Sequence, residues 1–161
     1  MANLVFGRRQ FLALGSSALV IASPELGRAG SNAIAVVVGA HSAQRTLSLD
    51  ELRRIFLNKD TNGDSGDRFV PINQRSGSPD RTRFDAQVLS MTPEEVARYW
   101  IDQRLRGKRA PAAVGSLPML KRALNELSGA ISYMAVADVD SSLRMLNIDG
   151  RNPSDGSYPI R

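Results

Sequence analysis

Residues 70–84 have the sequence VPINQRSGSPDRTRF, and this stretch decides the fold class of the chain. It begins inside a short apolar run, residues 69–72, which is typical of a β-strand and whose proline favours a strand end or a sheet edge. After a polar turn, Ser78 is a good helix N-cap, Pro79 suits the first helical position, and Asp80 suits the positive end of the helix dipole. The stretch therefore predicts a strand, a short loop and a helix.

The residues before this stretch predict a further strand and helix. Residues 33–39 form a continuous apolar run with several β-branched side chains, which predicts a buried strand with parallel neighbours. Ser48 and Glu51 have the spacing of a capping box, which marks a helix start. The apolar residues of this helix fall on one face: Leu49, Leu52, Ile55 and Phe56.

The residues after the stretch continue the alternation of helices and strands. Thr92 with Pro93, and later Ser116, predict two more helix starts, and residues 129–134 and 143–148 predict strands. We expect Tyr133 to be half-buried and Trp100 to lie in the core. The expected apolar faces of the helices are Phe84, Val88 and Leu89, then Val96, Tyr99, Trp100 and Ile101, then Leu120, Leu124 and Leu127. This alternation of strands and helices predicts an α/β sandwich.

The first 29 residues have the pattern of a targeting segment. Residues 7–12, GRRQFL, followed by the apolar run 13–22, resemble a bacterial twin-arginine export signal. The alternative is an uncleaved membrane anchor, although the run is shorter than the roughly 20 residues that span a bilayer. We expect export, cleavage near residues 26–29, a periplasmic domain formed by residues 30–161, and no membrane contact beyond the signal.

Composition excludes several classes of function. The net charge is +5, of which the export segment supplies +2, so the remaining excess suits an anionic ligand without demanding nucleic acid. The chain has no cysteine and a single histidine, His41, which rules out disulfides, thiolate zinc sites and cysteine nucleophiles. We interpret His41 as a loop residue rather than a catalytic base. No enzymatic activity and no cofactor are predicted.

Several segments, in a fixed order, resemble one family. Residues 35–38 followed by 47–59, LSLDELRRIFLNK, then 70–84, then Tyr99-Trp100 and residues 129–133, GAISY, are similar to passages of the phosphate-type, class-II periplasmic solute-binding proteins of ABC transporters. The resemblance covers most of the chain after residue 33. It implies an α/β fold of the type-2 periplasmic-binding-protein kind, with a central mixed sheet flanked by helices, and the length of the chain predicts a single lobe.

The resemblance also implies a ligand site. Proteins of that family hold phosphate with backbone N–H groups and hydroxyls at a helix N-terminus, together with an arginine. The corresponding candidates here are Arg75, Ser76, Gly77, Ser78 and Arg81. Pro79 and Asp80 stand where the family has glycine and threonine, and Gln74 stands where it commonly has arginine. An anion site and an ordinary capped helix start therefore remain alternative interpretations.

Two further segments have both a functional interpretation and an interpretation as ordinary solvent-exposed surface. Residues 60–67 resemble a calcium loop, but Ser65 replaces the turn glycine that such a loop needs, so a solvated loop is favoured. Residues 104–109, RLRGKR, are basic, which is compatible with nucleic acid, with a partner protein or acidic lipid, or with a solvated helix end. We expect the solvated helix end and no nucleic acid.

Two functions are compatible with these features of the sequence. The first is an extracytoplasmic solute-binding module for phosphate or another oxyanion, with an ABC permease as a possible partner. The second is an extracytoplasmic interaction or sensory domain that keeps the fold without binding phosphate. The pair Pro79-Asp80 favours the second function, because proline has no N–H to donate and the carboxylate repels an anion.

Overall fold

A computed structural model of the protein describes residues 33–63, 66 and 68–161. The predicted export signal lies outside the described residues, as do Asp64, Ser65 and Asp67 of the polar loop. The described part contains these strands and α-helices: β1 (Ile34–Gly39), β2 (Thr46–Leu47), α1 (Leu49–Phe56), β3 (Val70–Gln74), α2 (Pro79–Phe84), α3 (Pro93–Leu105), β4 (Ala112–Val114), α4 (Leu117–Glu126), β5 (Ala130–Ala135), β6 (Leu143–Met145) and β7 (Asn147–Ile148).

Five of the strands form one mixed sheet in the order β4-β3-β5-β1-β6. β3 runs parallel to β4 and β5, whereas β1 runs antiparallel to both of its neighbours, β5 and β6. The sheet is mixed as predicted, but the expectation that β1 has parallel neighbours is wrong. A continuous apolar run requires only that both faces of a strand are covered, and it does not encode the direction of the neighbouring strands.

Helices cover both faces of the sheet. Ile34, Val36 and Val38 of β1 point into one apolar cluster, which contains the buried residues of α1, α2 and α3. Ala35 and Val37 point into a second cluster on the other face, with Leu120 and Leu124 of α4. The result is a three-layer α/β arrangement, as the alternation of elements predicted.

The helix starts lie where the capping residues predict them. Ser48 and Thr92 each form a capping box, and Ser78 and Ser116 each accept a hydrogen bond from the backbone three residues later. α2 continues without a break into a π-helical turn, Asp85–Leu89. The buried faces are less well predicted, because Ile101 is 61% exposed and Leu127 is 50% exposed.

The last part of the chain differs most from expectation. Residues 143–148 form two short strands: β6 joins the large sheet, and β7 pairs with β2 in a separate two-stranded sheet. Tyr158 and Ile160, beyond the last strand, are buried in the main core, and the Ile34 N–H donates to the Ile160 carbonyl oxygen. Every described helix is too short or too polar to span a membrane.

Candidate anion site

The candidate site lies at the end of the sheet where three parallel strands finish. β3, β4 and β5 run in the same direction, so their carboxyl ends meet at one edge. β3 leads into α2 through residues 75–78, and β4 leads into α4 through Gly115 and Ser116. In open α/β sheets this edge is the usual place for a ligand, because the helices that follow the strands direct their N-termini toward it.

The Ser78 side chain caps the start of α2, and its one hydroxyl proton is already donated within the protein. Its Oγ accepts a hydrogen bond from the Arg81 N–H at 3.3 Å and donates one to Gln74 Oε1 at 3.2 Å. The Ser78 N–H in turn donates to the Arg75 carbonyl oxygen, closing the turn. Gly77 has a φ of 81°, a left-handed conformation that favours glycine. These contacts fix the loop between β3 and α2 in one shape.

Arg81 is turned inward rather than toward solvent. Its Nε lies 2.6 Å from Asp85 Oδ2, with the two side chains only 11% and 4% exposed, and its Nη1 donates to the Gln74 carbonyl oxygen at 3.3 Å. Burial raises the pKa of Asp85, and the charge and hydrogen bond of the Arg81 guanidinium oppose that rise. The guanidinium of Arg81 is therefore committed largely to the interior of the protein.

The Asp80 carboxylate accepts hydrogen bonds at the end of β5. Its Oδ2 accepts hydrogen bonds from the Ala135 N–H at 3.2 Å and from Gln74 Nε2 at 3.4 Å. Gln74 Nε2 also donates to the Tyr133 carbonyl oxygen at 3.0 Å. The Asp80 carboxylate thus holds α2 against the sheet, and its negative charge stays at the base of the loop.

Three aromatic side chains pack on the core side of these polar contacts. Phe84 lies flat on Tyr133, with ring centroids 3.7 Å apart and an interplanar angle of 7°, and Phe56 packs at an angle against both. The Tyr133 hydroxyl donates to Asn73 Oδ1, and burial raises its pKa. Tyr133 is completely buried, not half-buried as predicted.

The five predicted site residues fall into two groups. Arg75, Ser76 and Gly77 are exposed at the rim of the loop, while Ser78 and Arg81 are partly buried and bonded within the protein. Between this loop and the start of α4 lies a cavity of about 110 Å³. Its lining residues are Gln74, Arg75, Ser78, Val114, Gly115, Ser116, Leu117 and Leu120.

The α4 side of this cavity was not predicted as part of the site. Ser116 was recognisable in the sequence as a helix cap, but β4 was not recognised as a strand. Only the parallel register, in which Gln74 of β3 lies beside Val114 of β4, brings the two helix starts together. Ser78 and Ser116 are far apart in the sequence, so they cannot be recognised as neighbours until the pairing of β3 with β4 is known.

A larger cavity of about 560 Å³ lies at the opposite end of the sheet. It is lined by the turn after β1, which includes His41, by Arg68, and by the carboxyl end of α4. His41 is an exposed turn residue, as predicted. Among residues 33–63, 66 and 68–161, no group of three or more histidine, aspartate or glutamate side chains is placed to hold a metal ion.

Comparison with solved structures identifies the fold. The structure matches an ABC-type phosphate transport receptor from Vibrio cholerae with a TM-score of 0.60 at 18% identity, covering 76% of this chain and 48% of the receptor. The fold is that of the phosphate-type binding proteins. PstS from Borrelia burgdorferi gives a TM-score of 0.62 at 14% identity, covering 81% of this chain and 55% of its own.

A third match is a putative phosphate ABC transporter substrate-binding protein from Clostridium perfringens with bound phosphate, with a TM-score of 0.61 at 20% identity, over 77% of this chain and 48% of that protein. The chain therefore spans about half the length of the binding proteins that it matches. No protein-family model matches the sequence, and no curated protein matches it significantly.

Proposed function

We propose that this chain is an exported, extracytoplasmic solute-binding module of the phosphate ABC transporter type, in which residues 1–29 are a twin-arginine signal and residues 30–161 form one lobe. Its ligand is phosphate or a similar small oxyanion. The fold shared with three phosphate-type binding proteins supports this role. The lobe acts by binding and delivery to a permease rather than by catalysis.

The observation that carries the proposal is the cavity between the two helix starts. Arg75 and Ser78 line one side, and Ser116 lines the other. The exposed guanidinium of Arg75 supplies donors to the cavity, and the α4 N-terminus adds a partial positive charge. Ser76 and Gly77 lie in the adjoining loop and do not line the cavity.

The alternative, a domain for protein interaction that binds no phosphate, is favoured by a different observation. Asp85 and the Gln74 carbonyl oxygen engage the Arg81 guanidinium, and the Ser78 hydroxyl already has two partners. An anion that needed either side chain would have to displace these contacts. For this reason we expect only weak binding, with a dissociation constant above about 1 μM.

Isothermal titration of the purified chain with phosphate and with sulfate, at constant ionic strength, tests the proposal. We expect Arg75→Ala to weaken binding by about tenfold, the loss of one charge-assisted hydrogen bond. Arg98→Ala, which removes an exposed arginine from α3, is the matched control and should bind as the parent does.

The result separates the two candidate functions. Binding that is about tenfold weaker in Arg75→Ala and unchanged in Arg98→Ala supports the oxyanion module. If circular dichroism shows that the chain is folded and neither anion binds, the result would favour the interaction domain. Submicromolar binding would contradict our view that the Arg81 and Ser78 contacts limit affinity.

A further inference from the structure

The outer face of α3 presents two large apolar side chains to solvent. Ile101 is 61% exposed and Leu105 is 84% exposed. They are four residues apart, so they are neighbours on the same helix face. Val96 and Trp100 bury the opposite face of α3 in the core. The exposed pair therefore projects away from the domain.

Positive charge surrounds this pair. Arg104 lies on the same face of α3, and Arg106, Lys108 and Arg109 follow directly, all of them exposed. The neighbouring acidic side chain, Asp102, pairs with Arg106 at 3.1 Å. We call the exposed residues Ile101, Arg104, Leu105, Lys108 and Arg109 the α3 end patch.

The backbone beneath the α3 end patch is held in one conformation. The Lys108 N–H donates to the Gln103 carbonyl oxygen at 2.9 Å and the Gly107 N–H donates to the Arg104 carbonyl oxygen at 3.0 Å, which together form a Schellman motif. Asn58 Nδ2 also donates to the Arg109 carbonyl oxygen at 3.1 Å. The fixed backbone therefore keeps the apolar and basic side chains of the patch close to one another.

We propose that the α3 end patch binds an anionic phospholipid surface. Leu105 and Ile101 enter the boundary between headgroups and acyl chains, and Arg104, Lys108 and Arg109 contact the lipid phosphates. Long basic side chains can do so while their aliphatic stems lie along the apolar boundary. This contact is separate from the predicted export signal, so it departs from our expectation from the sequence that only the signal contacts a membrane. It also goes beyond the proposed solute binding.

The size and shape of the patch favour a lipid surface over an acidic protein. A stable protein interface buries about 800 Å² on each partner, usually around a central apolar core. Two protruding aliphatic side chains on a convex helix end are a small core for such an interface. A bilayer needs no complementary pocket, and a few inserted apolar groups combined with several cations suffice for reversible binding.

A site-specific fluorescent probe tests the proposal in the full chain. The chain has no cysteine, so Leu105→Cys can be labelled uniquely with an environment-sensitive dye, and Met119→Cys provides a matched control. Met119 is 56% exposed on α4, the helix on the opposite face of the sheet. Because the readout is local, membrane binding by the N-terminal segment does not obscure it.

We expect vesicles of phosphatidylcholine with about one third phosphatidylglycerol to raise the emission of the probe at position 105 at least about twofold, with little change at position 119. Pure phosphatidylcholine vesicles should have no effect. Adding Arg104→Glu and Lys108→Glu to the Leu105→Cys chain should abolish the response, and high salt should reduce it. No response to anionic vesicles, or an equal response at position 119, would overturn the proposal.

Discussion

Arg81 and Asp85 form an ion pair inside the protein, with 2.6 Å between Arg81 Nε and Asp85 Oδ2. The two residues are one helical turn apart, at the point where α2 becomes the π-helical turn. Phe84, which precedes Asp85 in the chain, stacks on Tyr133 of β5, so this turn is packed against the sheet. The pair connects the loop of the candidate anion site to the core.

Removing the acidic partner should destabilise the protein strongly. Asp85→Ala leaves the Arg81 guanidinium buried without its counter-charge, and we expect a loss of about 3 kcal/mol in the free energy of unfolding. Urea unfolding measures it. Asp102→Ala, which breaks the exposed pair with Arg106, is the control and should cost less than about 1 kcal/mol. Equal effects of the two substitutions would contradict the structural role of the buried pair.

The Ser78 hydroxyl should contribute to stability as a helix cap. Ser78→Ala removes the hydrogen bond from the Arg81 N–H, so we expect the free energy of unfolding to fall by about 1 kcal/mol. Thermal or urea unfolding detects this change. Ser76→Ala, at the exposed position two residues earlier, should change it by less than about 0.5 kcal/mol. If Ser76→Ala were the more damaging change, the cap would be misassigned.

Two glycines in the left-handed region should respond differently to alanine. At Gly77, φ is 81° and an added Cβ meets open space, so Gly77→Ala should cost about 1 kcal/mol of conformational strain. At Gly129, φ is 75° and the Cβ would lie 2.2 Å from the Arg68 carbonyl oxygen. We therefore expect Gly129→Ala to be clearly the more destabilising substitution in urea unfolding, and a reversed order would contradict the close approach of Arg68.

Asp140 should titrate below its ordinary range. Hydrogen bonds from Lys121 Nζ, at 2.6 Å, and from Ser142 lower the pKa of Asp140 to about 2 from 3.8. Since the folded pKa is below the unfolded one, the stability that this contact adds is present above about pH 4 and is lost as the pH falls toward 2. Carboxyl 13C NMR measures the titration.

A substitution identifies the cause of this shift. Lys121→Met removes the principal donor to Asp140, so the pKa of the carboxyl should rise toward 3.8. Arg122→Met, at the neighbouring exposed position that pairs with Glu126, should leave the pKa of Asp140 unchanged. A pKa that stays near 2 in Lys121→Met would assign the shift to Ser142 instead.

Local features of the fold were well predicted from the sequence. A serine or threonine at the N-cap, followed by proline or glutamate, satisfies or removes the free N–H groups of a helix start within three or four residues, so the information lies within the segment itself. Ser48, Ser78, Thr92 and Ser116 all begin helices for this reason. The same holds for β1 and β5, whose apolar runs require burial on both faces.

Only the tertiary structure decided how these elements meet. Strand direction at β1, the burial of Tyr133, Tyr158 and Ile160, and the approach of Ser116 to Ser78 all depend on contacts between distant parts of the chain. The spacing of Arg81 and Asp85 was visible in the sequence, but an exposed pair and a buried one have the same spacing. Whether the pair is buried depends on the residues that pack over it, and these residues come together only when the sheet forms.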